Sequence, residues 1–219
     1  MALPVSAGLR FEDMDFTVAV RYRLGLRVST AALPTHCTRC KQFNIDVSGQ
    51  HALRCGAQAF KVSRSRRHDR LRNIIASVLR RWGVSMEVEP AVDDTTADRG
   101  DLLANFEGSP AAVDVSVADA LAYLSCQKSS PIGATQLRDR MKLRKYQERY
   151  QKRGVSFFPI SLQSLGGLGQ KTLDFLSFLR TRPQELRQSL VCALVKSEVS
   201  DLRRWTNSVL CGFVQTIGV

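Results

Sequence analysis

The sequence predicts an α/β protein in which helices flank a mixed β-sheet. Apolar residues repeat with the helical period of 3.6 up to residue 83 and then alternate with the strand period of 2. Between residues 60 and 180 the predicted order is helix, three strands, helix, strand and helix. Strands interleaved with helices in this way are typical of the α/β class.

The composition is that of a folded protein. The 219 residues are 44% hydrophobic and 24% charged, which excludes disordered and low-complexity proteins. No apolar stretch approaches the roughly 18 residues that cross a bilayer, and acidic residues interrupt the amino terminus where a signal peptide would be apolar. We therefore expect a soluble intracellular protein without a membrane partner.

The predicted elements follow from these periods. Apolar residues recur mostly every four positions over residues 11–26 and at steps of three and four over residues 71–82, which predicts two amphipathic helices. The other predicted elements are strands over residues 84–88, 101–106, 113–117 and 155–160, and helices over residues 134–153, 172–179, 183–199 and 202–214. We expect turns at residues 107–110 and 165–169, where glycine and proline cluster.

Three cysteines and a histidine form the most specific motif. They read Cys37-x2-Cys40-x10-His51-x3-Cys55, which is the order and spacing of a tetrahedral structural Zn²⁺ site. His36 is a rival ligand, but it adjoins Cys37 and has the poorer geometry. Four unrelated buried residues are the alternative interpretation.

A net charge of +12 predicts a polyanionic partner, because nucleic acid is the commonest polyanion inside cells. Residues 61–81 and 138–153 each carry eight Lys or Arg residues, so the positive charge concentrates on two predicted helices. A basic protein whose charge only keeps it soluble is the alternative. The candidate nucleic-acid contacts are Arg66, Arg67, His68, Arg70 and Arg144. His68 also extends an apolar stripe by one turn, a position where histidine is more often structural than a ligand or a base.

Two acidic residues lie where a hairpin would bring them to one end of the sheet. Asp114 lies on a valine-lined strand, and Asp101 begins the preceding strand. Two convergent carboxylates offer the hard oxygen ligands that Mg²⁺ or Mn²⁺ requires, with open positions for a phosphate and its attacking water. Glu89 is a candidate third acid. Separate surface acids are the alternative.

Lys142, Lys145 and Tyr146 share one face of the helix predicted over residues 134–153, because they stand at positions i, i+3 and i+4. An ammonium group near a metal-bound water can orient that water or offset charge on the phosphate. A solvated basic face is the alternative, and the spacing leaves the choice between the two lysines open.

In succession, these motifs resemble a known family. The segments that carry the resemblance are Arg21-Tyr22-Arg23-Leu24-Gly25-Leu26, the Cys/His motif, Arg67-His68-Asp69, Glu89-Pro90, Arg99-Gly100-Asp101, Val113-Asp114-Val115-Ser116-Val117 and Lys142-Leu143-Arg144-Lys145-Tyr146. They are similar to the carboxy-terminal region of site-specific non-LTR retrotransposon polyproteins. There a zinc knuckle precedes a restriction-like endonuclease of the PD-(D/E)XK superfamily. The resemblance covers about residues 15–165.

The resemblance implies a core in α-β-β-β-α-β order and a metal-dependent DNA endonuclease that nicks a strand. It assigns a Mg²⁺ or Mn²⁺ ion to Asp101 and Asp114. The lysine that the superfamily places two residues after the second acid is Ser116 here. In the retrotransposon branch the lysine moves to the next helix beside a tyrosine, which implies Lys142 or Lys145 with Tyr146.

One further departure concerns the turn before the first aspartate. The family has a proline there, whereas this chain has Gly100, which is expected to loosen the turn. Gly100 and Ser116 favour an alternative function, a catalytically decayed nuclease fold that only binds nucleic acid. A zinc-organised interaction domain of a larger polyprotein is a third interpretation.

The expected organisation has four segments. These are a helical segment (residues 1–30), a CCHC zinc knuckle (31–57), the endonuclease core (58–180) and a helical extension (181–219). Zn²⁺ is the expected structural ion. DNA is the expected substrate, with RNA or an RNA–DNA duplex left open, and a reverse transcriptase of the same or a related polyprotein is the expected protein partner. A genomic target implies nuclear action.

Overall fold

A computed structural model describes residues 10–29, 36–37, 40–41, 46–55, 58–119, 132–164, 166–179 and 183–217. The helices and strands are, in chain order, α1 Asp13–Arg23, α2 Gln50–Arg54, α3 Gln58–Arg81, β1 Ser85–Val88, β2 Leu102–Phe106, β3 Ser109–Ala118, α4 Ile132–Gln151, β4 Ser156–Gln163, α5 Gln170–Phe178 and α6 Pro183–Ile217. No described helix is both long enough and apolar enough to span a bilayer. The described residues form two compact units, residues 68–193 and residues 10–67 with 194–217.

The first unit contains a four-stranded mixed sheet in the order β1-β2-β3-β4. The pairs β1–β2 and β2–β3 are antiparallel, whereas β3 and β4 run parallel. A parallel pair requires a long crossover connection, and α4 lies between these two strands in the chain. The predicted mixed α/β architecture is therefore confirmed. The division of the chain into four segments stays a prediction.

A tight hairpin joins β2 to β3. Glu107 and Gly108 have φ angles of 51° and 87°, the left-handed conformation that a two-residue hairpin turn requires. The Asn105 side chain accepts the Gly108 N–H at 2.9 Å, which closes the turn. The turn is thus shorter than the predicted residues 107–110, and β3 already begins at Ser109.

Two helices cover opposite faces of the sheet, as two neighbouring residues of β4 show. Neighbouring residues of a strand point to opposite sides of a sheet. Phe157 of β4 stacks on Tyr150 of α4, with ring centroids 5.3 Å apart. Phe158, the next residue, lies 5.3 Å from the ring of Phe175 on α5. Ala112 of β3 packs in the same cluster as Tyr150. The face that carries Ala112 is therefore the face that α4 covers, and Asp114, two residues further along β3, lies on it as well.

In the second unit a buried ion-pair network surrounds Arg67. This side chain is only 7% exposed, and its guanidinium lies 3.5 Å from Glu198 and 3.3 Å from Asp201. The guanidinium is thus enclosed by acidic partners, and the predicted contact of Arg67 with nucleic acid stays a prediction that its burial does not support. The sequence presented Arg67 as one cation in a basic run, and its acidic partners lie far along the chain.

The same ion-pair network explains why the predicted end of a helix near residue 199 is wrong. We expected separate helices over residues 183–199 and 202–214, but α6 is continuous over Pro183–Ile217. Ser200 and Asp201 interrupt the apolar pattern, yet Asp201 is buried and neutralised by Arg67. An acidic residue in a buried stripe thus marks an ion pair and not the end of a helix.

Candidate functional site

The Cys/His motif forms one cluster in the second unit. The ligand atoms of Cys37, Cys40, His51 and Cys55 all lie within 4.8 Å of one another. The Cys37 and Cys55 sulfurs are 3.9 Å apart, and Cys40 Sγ lies 3.3 Å from His51 Nε2. Tetrahedral Zn–S bonds of about 2.3 Å place two sulfurs about 3.8 Å apart. The donor set and its spacing therefore fit a metal ion such as zinc, and His36 is not part of the cluster.

Local contacts fold the chain around this cluster. The Asp46 carboxylate accepts the backbone N–H groups of Gln50 and His51 at 2.7 and 2.6 Å, which caps the first turn of α2. Gly49 precedes that helix with a φ of 87°, and a Cβ there would lie 2.5 Å from Leu202. Only glycine fits this turn, and α2 then presents His51 towards the cysteines.

The two predicted metal-binding acids are brought together in the first unit. Leu102 pairs with Val113, so the same register continued by one residue places Asp101 opposite Asp114. The Asp101 Oδ2 atom accepts the backbone N–H of Val115 at 2.6 Å. Asp101 and Asp114 are 9% and 4% exposed, so both carboxylates are largely removed from water.

Burial dominates the electrostatics at Asp114. Burial raises the pKa of Asp114, and the neighbouring Asp101 charge raises it further. Lys142 opposes this effect, because its Nζ lies 2.5 Å from Asp114 Oδ2. The Lys142 ammonium and the His68 imidazole face the two buried carboxylates, and the pKa of Asp114 is nevertheless raised, which favours an additional cation.

The geometry distinguishes the two candidate lysines. Lys142 pairs with Asp114, whereas Lys145 Nζ lies 3.0 Å from Asp98 in the loop between β1 and β2. The Tyr146 ring is buried, and the Lys142 and Lys145 ammonium groups lie 5.7 and 4.7 Å from its centre. Tyr146 therefore supports both cations from the core side of α4, but only Lys142 reaches the carboxylate pair.

His68 lies against the same pair. Its Nε2 is 3.0 Å from Asp101 Oδ2, and its Nδ1 is 3.3 Å from Asp69. The hydrogen bond with Asp101 is the main cause that raises the pKa of His68, although partial burial opposes it. The sequence analysis predicts a nucleic-acid contact for His68 and does not predict its hydrogen bond with Asp101. The signal was present in the helical spacing, which already directed His68 towards the core edge.

Glu89, the candidate third acid, and Ser116 both lie apart from the carboxylate pair. The Glu89 side chain is 54% exposed and forms an ion pair with Arg72, so it does not join the buried carboxylates. Ser116 is buried, and its hydroxyl lies 2.9 Å from the Ser161 hydroxyl. A neutral hydroxyl pair therefore stands two residues after Asp114. Among the other predicted nucleic-acid contacts, Arg66, Arg70 and Arg144 are exposed, and their role stays a prediction.

The loop before β2 is fastened to α4. Arg149 donates hydrogen bonds to Asp93, Thr96 and Asp98, and its bond to Asp98 is 2.7 Å long. These bonds are the main cause that lowers the pKa of Asp93 and of Asp98. Arg153 donates to the carbonyl oxygens of Ala91 and Val92 at 2.9 and 2.7 Å. The last turn of α4 and the turn that follows it therefore hold the segment that leads into Asp101.

Comparison with known proteins adds no assignment. No protein-family model matches the chain, and no curated protein matches its sequence.

Metal removal tests the Cys/His cluster. We expect the purified protein to contain about one Zn²⁺ per chain, since four ligands of this kind close a structural site. Cys37→Ser should lose the metal and unfold at a lower temperature, because structural metal binding contributes to folding. Elemental mass spectrometry and thermal unfolding measure both effects. Cys192→Ser is the matched control and should keep its metal. Equal metal content in the two variants contradicts the site.

A pH series tests the contact between Arg149 and the loop. The lowered pKa values of Asp93 and Asp98 mean that their pairs stabilise the fold above the ordinary carboxylate pKa of about 3.9. That contribution disappears as the pH falls through the lowered values. Arg149→Gln should therefore be less stable than wild type at pH 7, with a difference that shrinks in acid. Denaturant unfolding at several pH values measures it.

Lys152→Gln serves as the control for that series. This substitution removes an ion pair between two exposed side chains, Lys152 (73% exposed) and Glu148 (81% exposed). It should therefore change stability little at any pH. A difference for Arg149→Gln that persists unchanged at low pH would show that the loop contact is not electrostatic.

Proposed function

We propose that this protein is a metal-dependent endonuclease that nicks DNA, with a PD-(D/E)XK-like core of the retrotransposon type. One observation carries the proposal. Asp101, immediately before β2, lies opposite Asp114 of β3 when the register is continued by one residue, both are buried, and the Lys142 ammonium lies 2.5 Å from Asp114. Two carboxylates that can hold a metal ion and one ammonium group beside them supply the groups that hydrolysis of a phosphodiester requires.

Asp101 and Asp114 would hold the catalytic Mg²⁺ or Mn²⁺ ion. The raised pKa of Asp114 supports this fit, because a buried carboxylate is stabilised in its charged form by a nearby cation. When bound, such an ion polarises the phosphate and makes its coordinated water a better nucleophile.

The neighbouring residues position and stabilise the reacting groups. Lys142 would orient the attacking water or offset the negative charge that develops on the phosphate. The hydrogen bond from Val115 N–H orients Asp101, and His68 supports the same oxygen. The Tyr146 ring, whose centre lies 5.7 Å from the Lys142 ammonium, would help to hold that cation in place.

The charge of the chain supports a nucleic-acid substrate. Arg66, Arg70 and Arg144 are exposed and carry the charge that a phosphate backbone attracts. Contacts of this kind give salt-dependent affinity with little sequence preference. The Cys/His cluster, with Zn²⁺ bound, would hold its segment in a fixed shape for nucleic-acid binding. Action on a genomic target, together with a reverse transcriptase, would place the protein in the nucleus.

A catalytically decayed binding module is the second candidate. The hydrogen bond between Ser116 and Ser161 favours it, because a neutral pair stands where the superfamily has its lysine. The two candidates differ in their response to metal. A binding module should bind DNA without millimolar Mg²⁺, whereas the nuclease requires the ion for cleavage.

Replacement of Asp114 tests the catalytic site. Asp114→Asn keeps the size of the side chain and removes its charge, so metal-dependent nicking of supercoiled plasmid should fall by about 100-fold or more. DNA binding should survive, because the phosphate contacts lie elsewhere. Asp94→Asn, at an exposed acid of the nearby loop, is the control and should nick normally. Salt-sensitive DNA binding without any nicking by the wild type would favour the decayed module.

Replacement of the two lysines tests which one serves the reaction. Lys142→Met should lose most nicking activity, since its ammonium faces the carboxylates. Lys145→Met should retain it, because that ammonium is bound to Asp98. Initial nicking rates at saturating Mn²⁺ separate the two variants. The reverse order of activities would assign the role to Lys145.

A further inference from the structure

Gly100 lies against a buried tyrosine. Gly100 immediately precedes Asp101, and a Cβ at this position would lie 2.2 Å from the Tyr150 hydroxyl oxygen. The next nearest atom of that ring, Cζ, would be at 3.5 Å, which is ordinary van der Waals distance. The hydroxyl oxygen therefore occupies the space that any larger residue would need, and Gly100 is matched to Tyr150.

The Tyr150 ring has no freedom to move away. It is 1% exposed, stacks on Phe157 at an interplanar angle of 11° and lies 6.4 Å from the Tyr146 ring. Arg149 on α4 and Arg153, two residues after its end, hold the loop between β1 and β2. The helix and the turn are thus fixed against each other on both sides of the hydroxyl.

The hydroxyl itself makes no hydrogen bond within the described part of the chain. Burial raises the pKa of Tyr150 to about 12, so the group is neutral. A buried hydroxyl without a partner costs free energy, and phenylalanine would fill the ring position without that cost. The hydroxyl oxygen therefore does not stabilise the fold through a hydrogen bond. The contact it makes is the packing against Gly100.

The turn that Tyr150 contacts carries Asp101. Gly100 N–H donates to the Pro90 carbonyl at 3.0 Å, and Glu89 N–H donates to the Asp101 carbonyl at 3.0 Å. A shift of this turn would move Asp101 relative to Val115 and Asp114. We propose that Tyr150 is a positioning residue for Asp101, because its hydroxyl fixes the turn at Gly100.

This inference rests on the proposed function for its consequence in catalysis, and four proteins test it: wild type, Tyr150→Phe, Gly100→Ala and the double variant. Tyr150→Phe leaves a gap over the turn, so it should unfold no earlier than wild type yet need about tenfold more Mn²⁺ for half-maximal nicking. A purely structural role would not separate these two measurements. Gly100→Ala should unfold earlier and also need more Mn²⁺, since the methyl group meets the hydroxyl.

The double variant should recover towards wild type in both measurements, because the alanine methyl group fills the gap that the missing oxygen leaves. Two results would overturn the inference. One is a wild-type Mn²⁺ requirement in Tyr150→Phe. The other is a double variant that is no better than Gly100→Ala alone.

Amide hydrogen exchange separates failure of this inference from failure of the proposed function. Tyr150→Phe should accelerate exchange in the peptide that contains Gly100 N–H, and the double variant should slow it again, whether or not the protein nicks DNA. A wild type that never nicks with any metal refutes the endonuclease. Unchanged exchange in Tyr150→Phe refutes the positioning role.

Discussion

The register of the hairpin between β2 and β3 is the constraint on which the candidate site depends. The two-residue turn at Glu107 and Gly108 sets that register, and it places Asp101 opposite Asp114 just beyond the last paired residues of β2 and β3. A slip of one residue would turn every side chain of a strand to the other face. Asp114 would then point away from α4 and from Lys142. A turn remote from the carboxylates therefore determines which groups meet there.

Helix α4 converts this register into a site. Its middle turn brings Lys142 to Asp114, and its last turns hold the loop that precedes Asp101 through Arg149 and Tyr150. The aromatic stacking of Tyr150 on Phe157 fixes the same helix on the sheet. Packing, ion pairing and the placement of two acids thus rely on one element. This explains why the candidate site lies beside the most aromatic part of the α4 face.

Sequence patterns predicted the parts of the structure that depend on local spacing. The strands were found because Val113, Val115 and Val117 alternate with smaller or polar residues, and the Cys3His cluster because its ligands are close in sequence. Local spacing could not show which of Lys142 and Lys145 faces the carboxylate pair. It depends on Asp98, which reaches α4 only when the loop folds against it.

The contacts that sequence analysis missed all join residues far apart in the chain. Arg67 was assigned to the basic surface because Glu198 and Asp201 are more than a hundred positions away. His68 was placed correctly at the edge of the apolar stripe, but its contact with Asp101 requires the sheet to be in place. Gly100 suggested a loose turn until the position of Tyr150 was known. Sequence patterns over a few neighbouring residues cannot predict contacts of this kind.

The buried charges around Arg67 also restrict how the second unit can assemble. A charge enclosed without its partner costs several kcal/mol, whereas a purely apolar contact tolerates small displacements. If α6 slid by one turn along its axis, Glu198 and Asp201 would leave the guanidinium, and an unpaired cation would remain in the interior. A misaligned packing of this helix would therefore lose apolar contact area and would also leave a buried charge without its partner. The ion pairs contribute less to the total stability than to the choice of one arrangement over its near neighbours.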